Sequence, residues 1–206
     1  MIGIVRRRFS RREKGQGLVE FSMILPVVML LLLGMLEFGF AFDHAIGLGY
    51  STREGARAGS AMGEGSASLP CAEVDDYIVA AVQRVLKSPG SQVALSRIQE
   101  IRIFDADSAG GENGTAVNRW VYAAGAGPTV DGVVLDFQKD LGQQGYSACT
   151  TGNRDSSYPA DSLGVGIRYR YDFVTPLGAM FNIFGPGTAS LTMSDRTVMA
   201  INPGAN

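Results

Sequence analysis

G-Q-G-L-V-E-F-S-M-I-L-P-V-V-M-L-L-L-L-G-M-L-E-F-G-F-A-F, residues 15–42, decides how the rest of the chain is read. Residues 18–36 form a nineteen-residue window with one charge, Glu20. As a helix rising about 1.5 Å per residue, a run of that length crosses about 28 Å, close to the hydrocarbon thickness of a bilayer. The core helix of a soluble domain would show a polar face at a period near 3.6, and residues 24–33 show none apart from Pro26. The expectation is a transmembrane helix over 16–42.

The flanks give an orientation. Residues 1–15 carry six basic groups, Arg6, Arg7, Arg8, Arg11, Arg12 and Lys14, against one acid, Glu13. The positive-inside rule places this basic leader in the cytoplasm and everything after about residue 42 outside, a single pass through the cell membrane with an extracytoplasmic C-terminal domain. A cleaved secretory signal is the competing reading, but its shorter apolar region would be followed by a small-x-small site, and none follows this run. A basic arm can also bind nucleic acid. Residues 43–206, however, carry twelve basic and seventeen acidic groups, so the outer part has no basic excess and no nucleic-acid partner is expected.

Removing the first 42 residues from a chain of 206 leaves enough for one extracytoplasmic domain with its own core. Both cysteines, Cys71 and Cys149, lie in that part. In an oxidising compartment two thiols in a small domain most simply pair as a disulfide; two lone buried thiols are the alternative. With one histidine in the chain, a metal site is not expected.

Along the spine, Glu20 is a carboxylate at the head of an apolar helix, where it needs water or a cationic partner. Glu37 follows seventeen residues later, about 25 Å along a helix, so the two acids are expected to bracket the membrane, with Glu37 at the outer interface beside Phe38, Phe40 and Phe42. The helical pattern continues to about Met62, making 43–62 an extension of the spine. Gly34 lies in the span; Ala41, Ala45 and Gly49 form one ridge of small residues at spacing four, and Gly55 and Gly59 begin another. Such ridges let helices approach closely, either against another subunit or against the protein's own domain.

Several features together resemble the TadE-like family of tight-adherence (Tad) pilus-assembly proteins. They are the arginine-rich leader ending at Gly15, the G-x-x-x-x-E-F spacing that ends in Glu20 and Phe21, the L-V-E-F-S-x-x-L-P run, G-M-L-E-F-G-F at 34–40, and T-R-E-G-A-R-A at 52–58. The resemblance covers about residues 12–60 and implies a minor pseudopilin. A prepilin peptidase would cut between Gly15 and Gln16, and the new ammonium would pair with Glu20 of a neighbouring subunit, so that Glu20 and Phe21 report helix register. A carboxylate snorkelling to the cytosolic interface is the simpler role for Glu20. A contact of Glu37 with another assembly protein rests on the family alone. The implied partners are membrane lipid, a prepilin peptidase, other pilins or pseudopilins, and pilus-assembly membrane proteins.

Residues 63–206 read as an α+β head with a mainly antiparallel sheet, the pilin-like plan. Val74, Tyr77, Ile78, Ala81, Val82, Val85 and Leu86 mark an amphipathic helix stopped by Pro89 and Gly90. Ile98 to Phe104 and Trp120 to Ala123 are candidate strands, the acidic, glycine-rich stretch between them a solvated loop, and 142–160 a polar surface loop holding Cys149. Val165, Ile167, Tyr169, Tyr171 and Phe173 alternate with polar residues as a strand. Leu177, Met180, Phe181 and Phe184 follow at helical spacing, and 189–201 is expected as a final strand antiparallel to 164–173.

The head carries no G-x-S-x-G, P-loop, dinucleotide fingerprint or metal-ligand cluster, so no catalytic residue and no cofactor is expected. His44, beside the membrane exit, reads as an interfacial or capping side chain. A structural or assembly component is the preferred function. A single-pass anchored binding domain outside any pilus is the alternative, and an enzyme the third.

Overall fold

The computed structural model describes residues 13–156, 159–181, 185 and 189–202. Most of the basic leader, with Phe184 and Pro186, lies outside the described residues.

One helix, α1, runs from Glu13 to Met62, 50 residues, and passes through Pro26 without interruption. At 1.5 Å per residue it is about 75 Å long. Residues 17–32 are exposed throughout. From Glu37 onward one stripe is buried: Glu37, His44, Leu48, Ser51, Thr52, Gly55, Ala56 and Gly59, a spacing of three and four that gives one helix face. This outer half lies on a five-stranded sheet beside a second helix, α2 (Val74–Leu86).

The strands are β1 (Ile98–Ala106), β2 (Glu112–Tyr122), β3 (Thr129–Val130), β4 (Val133–Val134), β5 (Phe137–Gln144), β6 (Ser162–Asp172) and β7 (Ser190–Ala200), with a short helix α3 (Leu177–Phe181) between the last two. The main sheet has the order β5-β2-β1-β6-β7, every neighbouring pair antiparallel, and β3 pairs with β4 as a separate hairpin. The α+β reading, with a long apolar helix followed by an antiparallel sheet, is therefore what the chain forms.

The alternation in β6 sorts its faces. Leu163, Val165, Ile167, Tyr169 and Tyr171 are buried beneath the helices, whereas Arg168 and Arg170 are exposed on the other side. β7 pairs with β6 over its whole length, from Ser162 opposite Ala200 to Asp172 opposite Ser190, with α3 at the junction as the spacing predicts. The back of the sheet is wet and charged: Glu100 takes Arg119 at 2.5 Å and Arg168 at 3.3 Å. Phe104 and Val117, opposite each other in the β1–β2 ladder, are buried apolar residues there. The Phe104 ring covers Gly164, where a Cβ would stand 2.3 Å from the ring atoms.

The described residues of 142–160 are mostly exposed, as expected of a surface loop, with two departures from that reading. The first three belong to β5, while Tyr146 and Arg154 are among the most deeply buried side chains of the head. Arg154 reaches the Asp75 carboxylate at 2.7 Å, donates to the Tyr146 carbonyl at 2.8 Å, and lies over the Tyr146 ring at 4.6 Å. The Asn118 side chain donates to the same carbonyl at 2.6 Å and accepts the Tyr146 N–H at 2.8 Å. A disulfide, Cys71–Cys149, closes the segment onto the start of α2. These contacts offset part of the cost of burying Tyr146 and Arg154, although the Tyr146 hydroxyl and the Arg154 Nε and Nη1 are buried without a hydrogen-bond partner.

Candidate functional site

The features bearing on function lie along α1. Among the described residues this is the one helix long and apolar enough to cross a membrane, and none of its most apolar window is buried in the protein. Leu18, Phe21, Met23, Met35 and Phe38 are all more than 60 % exposed. Side chains of this kind are stable only when something other than water covers them.

Gly15 and Gln16 lie in α1, exposed, and a Cβ at Gly15 would meet nothing within 4 Å. The Gln16 side-chain amide donates to the Glu20 carboxylate at 3.1 Å across one turn. Glu20 and Phe21 are otherwise open to the surroundings and distant from the head.

The neighbours of Glu37 are not the phenylalanines expected beside it at the outer interface. Glu37 is 6 % exposed and accepts three hydrogen bonds from the strand-to-helix connection of the head: the Tyr171 hydroxyl at 2.5 Å, the Val174 N–H at 3.0 Å and the Thr175 N–H at 2.8 Å. Phe38, Phe40 and Phe42 remain exposed. A carboxylate with three donors arranged around it is held as an acceptor. Burial and the Glu37 carboxylate both push the Tyr171 hydroxyl well above its ordinary pKa, so it stays a donor. One turn to two turns further on, the His44 ring packs edge-on against Tyr171 at 5.0 Å and beside Tyr169 at 5.6 Å, with its Nδ1 2.7 Å from the Phe40 carbonyl.

The two ridges of small residues part company. A Cβ at Gly55 would stand 2.6 Å from Val82 and 3.2 Å from Val165, and one at Gly59 would stand 2.7 Å from Leu163 and 3.0 Å from Ile78. These glycines let α1 approach α2 and β6 within the same molecule. Of the other ridge, Ala41 is half-buried against the core, Ala45 is exposed, and Gly49 faces the Asp195 carboxylate. Gly34 is half-buried with open space around its Cα. Asp195 in turn accepts a short hydrogen bond from Thr52, which also pairs with Thr197 at 3.0 Å.

Sequence reasoning missed the Glu37 clamp, the Thr52–Asp195–Thr197 link and the Arg154 cluster. The first left a signal, a glutamate in an apolar helix with a tyrosine-rich strand later in the chain; the other two left none. No group of His, Cys, Asp and Glu that could hold a metal occurs among the described residues.

A single exposed apolar helix, continued under the sheet of an α+β head, fits a single-pass membrane protein. The chain is similar to the TadE-like protein family, whose model matches residues 15–57, the stretch on which the motifs lie. That match and the helix together fit a membrane protein associated with Tad-type pili. Comparison with curated proteins and with solved structures finds no match.

Proposed function

We propose that the protein is a minor pseudopilin, a structural or assembly component of a Tad-type pilus or a related secretion machine and not an enzyme. In this reading residues 18–36 cross the cell membrane with the N-terminus in the cytoplasm and the head outside. A prepilin peptidase cuts between Gly15 and Gln16. The observation that carries the reading is the division of α1: Glu20 and Phe21 stand clear of the head on a bare apolar rod, available to lipid and to the helices of other pilins or pseudopilins, whereas the head engages the helix only from its outer half.

Cleavage would place a new ammonium on Gln16, one helical turn before Glu20. In the uncut chain the Gln16 side chain already occupies that carboxylate at 3.1 Å, so a neighbouring subunit's ammonium would replace a neutral donor by a charged one, which makes the stronger hydrogen bond. Gly34, Ala41 and Ala45 are the small residues left for close contact with other helices. Gly55 and Gly59 are spent within the head.

The test is coexpression with and without a prepilin peptidase, followed by N-terminal sequencing of the membrane-embedded protein. The expected outcome is an N-terminus at Gln16 only when the peptidase is present, blocked by Gly15→Ala. Glu20→Ala should be cut normally yet fail to co-purify with pilus components. Retention of the leader in the presence of active peptidase would overturn the proposal.

A further inference from the structure

The first part of the connection after β6, residues 173–181, lies beside the outer end of the apolar rod. α3 lies against α1, and in a helix exposed from 17 to 32 the next two residues, Leu33 and Gly34, are half-covered. Leu33 is one turn, about 6 Å, nearer the middle of the span than Glu37, where the 174–175 backbone is fastened. On its outward side this connection presents Val174, 66 % exposed, and Met180, 49 % exposed, with Leu191 at the start of β7 also 49 % exposed.

Two physical facts say what covers these side chains. The first is depth. The 174–175 backbone stands level with Glu37, and the exposed Phe38, Phe40 and Phe42 carry the apolar surface of the rod further out than that, so this stretch lies at the depth, about 5–10 Å, of an apolar element in the boundary between headgroups and acyl chains.

The second is the backbone. Lipid gives no hydrogen bonds, so an irregular segment can enter the boundary only when its own polar groups are satisfied by protein. Here the Phe173 N–H reaches the Ala189 carbonyl at 3.1 Å, Val174 and Thr175 give theirs to Glu37, and residue 176 is a proline with none to give. The Gly178 N–H bonds to the Thr175 carbonyl at 3.1 Å, and the Ala179 and Met180 N–H groups bond to the Pro176 carbonyl at 3.1 and 3.4 Å. A water-exposed loop has no need of this accounting.

We infer that residues 173–181, which follow β6, are a foot by which the head rests on the lipid surface, with Val174 and Met180 inserted among the outer-leaflet chains and Glu37 fastening the foot to the span. The inference rests on the membrane reading of α1. The head then meets the bilayer at two places, the rod and the foot, which fixes its tilt.

The test uses the full chain in lipid vesicles at low protein content. Both native cysteines are in the disulfide, so single added cysteines can carry an environment-sensitive fluorophore. Val174→Cys and Met180→Cys report on the foot, Leu30→Cys on the span, and Leu141→Cys, which is 88 % exposed, on open water. The expected result is that lipids bearing a doxyl group high on the acyl chain extinguish most of the emission from positions 174 and 180. Aqueous iodide should leave these two unaffected while quenching position 141. If position 30 is quenched by lipid but 174 and 180 are quenched by iodide, the foot stands in water and the inference fails. If 174 and 180 are shielded from both quenchers, a protein surface covers them and the inference also fails. If position 30 is itself untouched by lipid, the membrane reading falls and takes the foot with it.

Discussion

Residues 17–32 and residues 48–59 of α1 share one backbone geometry and have opposite surroundings. The inner stretch is built from Leu, Met, Val and Phe and touches nothing else in the protein; the outer stretch buries Ser51, Thr52, Gly55, Ala56 and Gly59 against α2 and the sheet. The greasier half is the bare one. Burial inside the protein is thus decided here by how closely neighbours can approach rather than by how apolar the helix is, and the large side chains of the inner half call for lipid as their solvent.

The sharpest way to break this contrast is to give the outer half the side chains of the inner. Gly59→Leu would drive a branched side chain into Leu163 and Ile78, and overpacking of this kind should lower the head's stability by about 3 kcal/mol. Gly17→Leu, where a Cβ meets nothing within 4 Å, should leave the head's unfolding unchanged. Thermal unfolding of the full chain in nanodiscs separates the two. Equal effects would mean that the halves do not differ as described.

Next in size is the seam between them. Glu37→Ala leaves the Tyr171 hydroxyl and two backbone N–H groups without their acceptor, a loss of about 2 kcal/mol. Hydrogen exchange should show the amides of Val174 and Thr175 losing protection. Glu20→Ala, on the inner half, should leave both amides as they were. Unchanged exchange in Glu37→Ala would remove the clamp from the account.

The smallest effect is a matter of alkaline pH. The folded protein holds the Tyr171 proton above the ordinary tyrosine value of about 10, so above that pH the unfolded chain releases a proton that the folded chain keeps. Stability is therefore complete below about 10 and declines as pH rises through and beyond it. Burial raises Tyr146 and Tyr169 in the same direction, so Tyr171→Phe should flatten only part of the alkaline decline seen in denaturant titrations. A decline of unaltered slope would show that Tyr171 does not carry its share.

What could be read in advance follows periodicity. The inner half of α1 was legible because an apolar run of that length shows no polar face, α2, β6 and β7 because their apolar residues recur at the period of their own structure, and the two cysteines suggested their pairing by being the two that the chain has. β2 begins at Glu112, eight residues before the expected start, because E-N-G-T-A lies beside the turn that joins β1 to β2, where there is little to bury. β5 carries no strand signal for the same reason: Phe137 is its one buried residue, and an edge strand needs no alternation. Arg154 was beyond reach in principle, since a buried arginine depends on Asp75, seventy-nine positions away, and local pattern carries no trace of that pairing. Glu37 was found by its chemistry and assigned the wrong neighbours, because phenylalanines adjacent in sequence point away from it on the helix.

α1 passes from its bare half into the head without a joint. A pull along the anchor would reach the sheet as shear across the whole length of the helix seat, shared among many contacts at once, and a twist of the anchor would turn the head with it. The protein is in mechanical terms a handle and a blade forged from one bar.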